Sequence, residues 1–234
     1  MAGAMDSRRV AYLKALDIDV WERRDLAPAA VASTAVAPVA DSGTQPGWAE
    51  LERAVKSCTL CPLHKTRTQG VFGVGNRNAQ LMVIGEAPGA DEDRQGEPFV
   101  GRAGQLLNSM LKAIGLPREH VFIANILKSR PPNNRDPKPE EVQACIPYLF
   151  RQIELVNPKL ILCVGRIAAQ TLLETDTPIG KLRGQLHRIA GNRPMVVTYH
   201  PAYLLRSPGE KRKSWADLLL ALRTFEQVAG GAPT

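Results

Sequence analysis

Apolar residues occur in this chain in two alternating rhythms. Leu81-Met82-Val83-Ile84 is a short run that is apolar on both faces and is closed by a Gly/Pro turn, which predicts a buried parallel strand. Val121–Ala124, Lys159–Gly165 and Met195–Tyr199 repeat that signature. Between and after the runs, the spacing becomes helical. Leu106, Leu107, Met110, Leu111 and Ile114 mark a helix over 103–114 that ends at Gly115 and Pro117. Further helices are predicted from about Glu140 to Val156, over 167–173, and from about Lys213 to Val228, the last with Trp215, Leu218, Leu219, Leu222 and Phe225 on one face. Strands that alternate with helices predict an α/β fold, a mostly parallel sheet with helices on both sides.

Upstream the pattern changes. Residues 1–24 read as an arm whose stretch 7–24 is a short amphipathic helix, carrying Val10, Leu13, Leu16 and Ile18 among charges. Such an arm either docks on the body or serves as a tether for an unidentified protein partner. Residues 25–47 are rich in Ala, Pro, Ser, Thr and Gly and nearly uncharged, the composition of a flexible linker. The main domain is expected over 48–230, opening with a helix from Trp48 to Lys56. The glycines of Gly70–Asn76 resemble a phosphate loop but lack its Lys-Ser/Thr, so a turn is the reading there.

Three polar residues stand directly after predicted strands: Glu86, Asn125 and His200. In a parallel sheet those ends share one edge, where ligands bind. Asn supplies one acceptor and two donors, His can donate to a developing anion, and Glu can orient or activate water. Phe99, in an otherwise polar loop, adds a flat apolar wall. The set suits a planar heterocycle read along its edge and hydrolysed.

Length and charge narrow the picture further. The 234 residues hold one ordinary domain with an appendage, and 44% hydrophobic content suffices for a core. A formal charge of +7 favours a polyanionic partner, nucleic acid foremost. No apolar run approaches the ~20 residues of a membrane span, and no signal-peptide core opens the chain, so a soluble cytoplasmic protein is expected. The four cysteines are Cys58, Cys61, Cys145 and Cys163. A Cys-x-x-Cys pair with two further thiols makes four ligands, enough for zinc or an iron–sulfur cluster, and spacing alone does not choose between them.

The motifs then become specific. GEAPGADED (Gly85–Asp93) with GEPFVGRAGQLL (Gly96–Leu107), NILKSRPPNNRDPKPEE (Asn125–Glu141), HPAYLLR (His200–Arg206) and the four cysteines together resemble a family 4 uracil-DNA glycosylase, over about residues 48–228. The resemblance implies a three-layer α/β/α sandwich around a four-stranded parallel sheet, and hydrolytic removal of uracil from DNA in the bacterial nucleoid by a monomer. It implies that Phe99 stacks on uracil, Asn125 reads its N3–H and O4, His200 bonds O2, and Glu86 positions water. Glu92 would be a second carboxylate crowding C5, with Gly85 and Ala87 also at the base. Leu204 would be a wedge in the duplex, and Arg206, Lys211, Arg212 and Lys213 would hold phosphates. The cysteines would ligate a structural 4Fe–4S cluster. The Arg-Arg-Ile-His insert of the covalent uracil-trapping relatives is missing, and Ala87 replaces their Gln, so no covalent adduct is expected. The rival classes are a metal-stabilised nucleic-acid-binding module without activity and an α/β enzyme acting on free nucleotides.

Overall fold

The computed structural model describes residues 46–230. The arm expected over 1–24, and the linker expected over 25–47 save its last two residues, lie outside them. In chain order the strands are β1 (Val74–Gly75), β2 (Leu81–Gly85), β3 (Phe122–Asn125), β4 (Leu160–Val164), β5 (Leu186–Ile189) and β6 (Arg193–Thr198). They lie side by side as β1-β3-β2-β4-β6-β5. The inner four are parallel, as the apolar runs predict, and a short antiparallel strand is added at each edge. The helices are α1 (Trp48–Ser57), α2 (Ala90–Gln95), α3 (Arg102–Ala113), α4 (Pro139–Val156), α5 (Arg166–Leu173), α6 (Ile179–Leu182), α7 (Pro201–Arg206) and α8 (Lys211–Ala229).

Every residue of β2, β3 and β4 is buried, and their side chains alternate between two cores. Met82, Ile84, Ile161, Cys163, Met195 and Val197 pack with α1, α4 and α5. Leu81, Val83, Leu160, Leu162, Val164 and Val196 pack with α3, α7 and α8. The result is the three-layer sandwich. The chain leaves β2 for β3 on one side and later returns to place β4 on the other, so strand order reverses beside β2. In open α/β sheets the crevice outside such a reversal is where ligands bind.

The acidic stretch after β2 is not solvated loop throughout. Ala90–Gln95 forms α2, whose first turn holds Asp91, Glu92 and Asp93 against the positive end of the helix. Asp93 is buried and accepts the Thr68 and Gln69 amides, at 2.9 and 3.5 Å from Oδ1. It thereby ties the segment after the cysteine pair to this turn.

Candidate active site

A cleft of about 700 Å³ opens at the carboxyl edge of the parallel strands, and Glu86, Phe99, Asn125 and His200 all line it. Gly85 pairs with Asn125 in the β2–β3 register, and the Leu127 amide donates to the Glu86 carbonyl at 2.9 Å, carrying the pairing past the strand ends. β4 lies between β2 and β6, so a side chain at its end would obstruct the cleft. It is followed instead by Gly165, at φ +103°, where a Cβ would stand 3.1 Å from that of His200. Gly85 has the corresponding role beneath Asn125 and Phe99, whose Oδ1 and Cζ lie 2.5 and 2.6 Å from where its Cβ would be.

Asn125 is 3% exposed, and its Oδ1 is buried with no hydrogen-bond partner. A desolvated acceptor left unpaired costs about 1–3 kcal/mol, so the site is built to receive a donor. His200 caps α7, its Nδ1 accepting the Ala202 amide at 3.1 Å. That bond leaves the proton of the neutral ring on Nε2, the nitrogen free to donate. Burial, with Arg206 adding to it, pushes the His200 pKa down to about 4, so the ring is neutral at physiological pH.

Glu86 is half-buried. Burial first, and the nearby Asp136 second, push its carboxyl up to about 7, with Arg166 pulling the other way. A carboxylate near its midpoint at neutral pH is suited to accept a proton from water. Only ionised Glu86 can act as a base, so turnover should climb as pH rises through about 7 and then level off. His200 stays neutral throughout that window and cannot supply the limb. Glu86→Gln should flatten the profile; a rate profile keeping its slope in that variant would assign the limb to another group.

Phe99 is a non-glycine residue at φ +55°, a strained conformation held from two sides. Arg118 donates to the Pro98 and Phe99 carbonyls at 2.6 and 3.1 Å. Glu92 accepts the next two amides, Val100 and Gly101, at 3.0 and 3.2 Å on Oε1, and the Gly89 amide at 3.1 Å on Oε2. The ring so placed stacks on His200, with centroids 5.5 Å apart and planes at 29°. Gly104 makes this possible, since a Cβ there would lie 1.9 Å from the Phe99 carbonyl oxygen. Gly104→Ala should therefore cost roughly 1–3 kcal/mol, seen as a melting temperature lower by several degrees together with reduced turnover. An unchanged melt would show that the loop does not need the glycine.

The geometry can be set beside known proteins. A family profile described as the Uracil DNA glycosylase superfamily matches residues 72–220. A type-4 uracil-DNA glycosylase of Archaeoglobus fulgidus is 50% identical over 175 residues, covering 72% of this chain and 88% of that protein. One from Pyrobaculum aerophilum is 44% identical over 178 residues, covering 73% and 91%. A type-5 enzyme of the same organism is only 32% identical, over 168 residues covering 62% and 74%. The chain belongs to the type-4 uracil-DNA glycosylase family.

Within that family frame, two expectations need revision. Leu204 is 1% exposed and packs in the core between α3 and α8, so it is not a free wedge. The reason is helical: its amide closes a turn onto the His200 carbonyl at 3.2 Å, which carries the side chain inward. Of α7, the residues lining the cleft are Ala202, Tyr203 and Arg206. Glu92 does line the cleft, yet its oxygens are committed to three backbone amides, which makes it a brace for the Phe99 loop. Ala87 lines the cleft as well. Lys211 borders a separate apolar groove with Trp215, Lys213 is held by Glu210 at 2.8 Å, and Arg212 is exposed. The sequence reading missed Arg118 and Lys128, whose roles depend on carbonyls that no side-chain pattern displays.

All four cysteines are free thiols. Cys61, Cys145 and Cys163 belong to the core on the α4 side of the sheet. Burial raises the Cys145 pKa most, the Lys128 backbone amide opposes this, and Cys61 and Cys58 are close enough to raise it further. Burial alone pushes Cys163 up. Cys58, Cys61 and Cys145 are close enough to act on one another, whereas Cys163 responds to burial only; four soft donors fit a thiolate-held cluster in kind. Among the described residues no three such side chains converge as a single metal ion requires.

Proposed function

We infer that the protein hydrolyses the N-glycosidic bond of uracil in DNA, leaving an abasic site. The observation that carries the reading is the buried, unpaired Asn125 Oδ1, facing a cleft it shares with a neutral His200. A glycosidic bond within the base stack is out of reach, so the nucleotide is flipped out, at less cost when uracil faces guanine. Phe99 supplies the flat wall for the base. Asn125 accepts from N3–H through Oδ1 and donates to O4 through its nitrogen, and His200 Nε2–H meets O2. Glu86 takes a proton from the attacking water. Tyr203, which lines the cleft, has the apolar ring to fill the vacated stack, and Arg206 in the cleft and the exposed Arg212 would meet phosphates.

Bond cleavage builds negative charge on uracil O2 and positive charge on the sugar. Donors fixed in advance toward O2 act on charge that exists only in the transition state. The test is direct. Purified protein is incubated with duplexes containing one uracil, and abasic sites are scored by alkaline strand scission. Scission at uracil and at no other base is expected. Binding without scission would favour the non-enzymatic module, and failure to bind DNA would favour a free-nucleotide enzyme.

We also propose that Cys58, Cys61, Cys145 and Cys163 hold a 4Fe–4S cluster. When bound, it would cross-link the segment before the sheet to α4 and β4 as a structural tie, outside the chemistry. Cys163→Ser should then lower iron content and thermal stability together. Full iron occupancy with an unchanged melt would remove Cys163 from the ligand set.

A further inference from the structure

Lys128 lies three residues beyond the reading Asn125 and is 1% exposed. Its Nζ donates to the Asn125 backbone carbonyl at 2.8 Å and to Gln152 Oε1 at 2.6 Å. Gln152, itself fully buried on α4, donates in turn to the Phe72 carbonyl at 2.8 Å. The Lys128 carbonyl accepts the Val71 amide at 2.8 Å. The next residue, Ser129, accepts from Arg67, which also grips the Lys56 and Cys58 carbonyls, each at 2.9 Å. Nζ thus joins the end of β3 to α4 in a buried polar cluster, and the neighbouring backbone links that cluster to the cysteine segment through the partly buried Arg67.

An amine buried against two uncharged oxygens is a poor way to stabilise a fold: its desolvation costs several kcal/mol, the nearby Cys145 alone opposes that cost, and an apolar side chain would avoid it. What it provides is geometry. The donor holds the peptide group that follows Asn125 Cα, and that peptide sets the direction of the Cα–Cβ bond. The amide of Asn125 carries an unpaired acceptor and must meet a flat base edge at one depth and one angle. Tolerances for such a contact are about 0.5 Å and 10–20°.

We propose that Lys128 is a positioning residue for base reading, its buried Nζ fixing the Asn125 backbone so that the amide meets the base in register. The proposal rests on the reading in which Asn125 contacts the base. Lys128 is not among the residues lining the cleft, so its effect would run wholly through Asn125. Gln152 sets the position of Nζ, so it belongs to the same device.

The test is a double-mutant cycle. Lys128→Met removes the donor, and Lys128→Met with Gln152→Leu removes the donor and the acceptor it would orphan. Each is made alone and combined with Asn125→Ala, with melting temperature and single-turnover uracil release measured throughout. A displacement of about 1 Å is worth roughly 10²-fold in rate, so a loss of about 10- to 100-fold is expected in the folded Lys128 variant. That loss should vanish in the Asn125→Ala background, since no reader is left to misplace. A purely structural role would not produce this dependence. A folded variant with wild-type rate, or a loss that adds in full to that of Asn125→Ala, would overturn the proposal. So would failure of both Lys128 variants to fold, which would make the residue structural. A different failure belongs to the base-reading assignment itself: Asn125→Ala alone releasing uracil at the wild-type rate.

Discussion

His200→Ala is expected to lower the single-turnover rate of uracil release by roughly 10²–10³, the usual loss for one donor aimed at developing oxyanion charge, with little change in affinity for uracil-containing DNA. The ring reaches the cleft as the N-cap of α7, two residues after the end of β6. Its Nδ1 is committed to the Ala202 amide at 3.1 Å, which leaves Nε2–H as the donor free to meet a substrate. A neutral carbonyl at O2 gains little from that bond. The anion formed as the glycosidic bond breaks gains far more, and this difference appears in rate and not in binding. With its pKa pushed down to about 4 by burial and by Arg206, the ring need not shed a proton at neutral pH before it acts. Rapid-quench measurement beside a filter-binding titration separates the two quantities. A variant that lost affinity and kept its rate would move His200 from transition-state stabilisation to ground-state binding.

The parts of this site that are legible in the sequence are those set by covalent order. A buried parallel strand announces itself as an unbroken apolar run, because both its faces are covered. The residue after each run is then at the carboxyl edge whatever the details of packing. Glu86, Asn125 and His200 are found in this way. The edge strands are not: β1 has two residues, and β5, Leu186–Ile189, mixes exposure with burial and leaves no period to detect. Helix α2 is equally silent, since all but its first residue are polar and it is set by Glu92 capping the Gly89 amide.

Side-chain direction is harder still. Counting residues from His200 brings Leu204 to the place of a wedge, but the turn of α7 carries it into the core. Lys128 sits in a stretch that reads as polar loop, yet it is buried because Asn125 and Gln152 supply acceptors from 3 and 24 positions away. The acidic turn reads as a source of catalytic carboxylates, although Glu92 and Asp93 spend their oxygens on backbone amides. Glu86 has a place on the cleft and a carboxyl raised by burial to about 7.

Asn125→Asp is expected to abolish most uracil excision at pH 8 and to leave a signature in its pH dependence. The wild-type amide offers uracil one acceptor and one donor, a match to N3–H and O4. An ionised carboxylate keeps the shape and offers acceptors only, so O4 meets a repelling oxygen in a site that is 3% exposed. Sites built to pair a polar edge reject a mismatched one by roughly 10⁴–10⁵, which sets the scale of the loss. Burial raises the pKa of an unpaired carboxylic acid, so the variant recovers a donor as pH falls and the acid protonates. Its rate relative to wild type should therefore rise toward acidic pH. That slope is opposite to the limb from Glu86, whose base form is lost as pH drops through about 7. Cytosine presents an amine where uracil presents O4, so the ratio of uracil to cytosine excision should fall in the variant at pH 8. Parallel single-turnover assays on both bases across the pH range, with melting curves as a control for folding, contain every comparison needed. A folded Asn125→Asp protein that released uracil at the wild-type rate at pH 8 would show that Asn125 does not read the base.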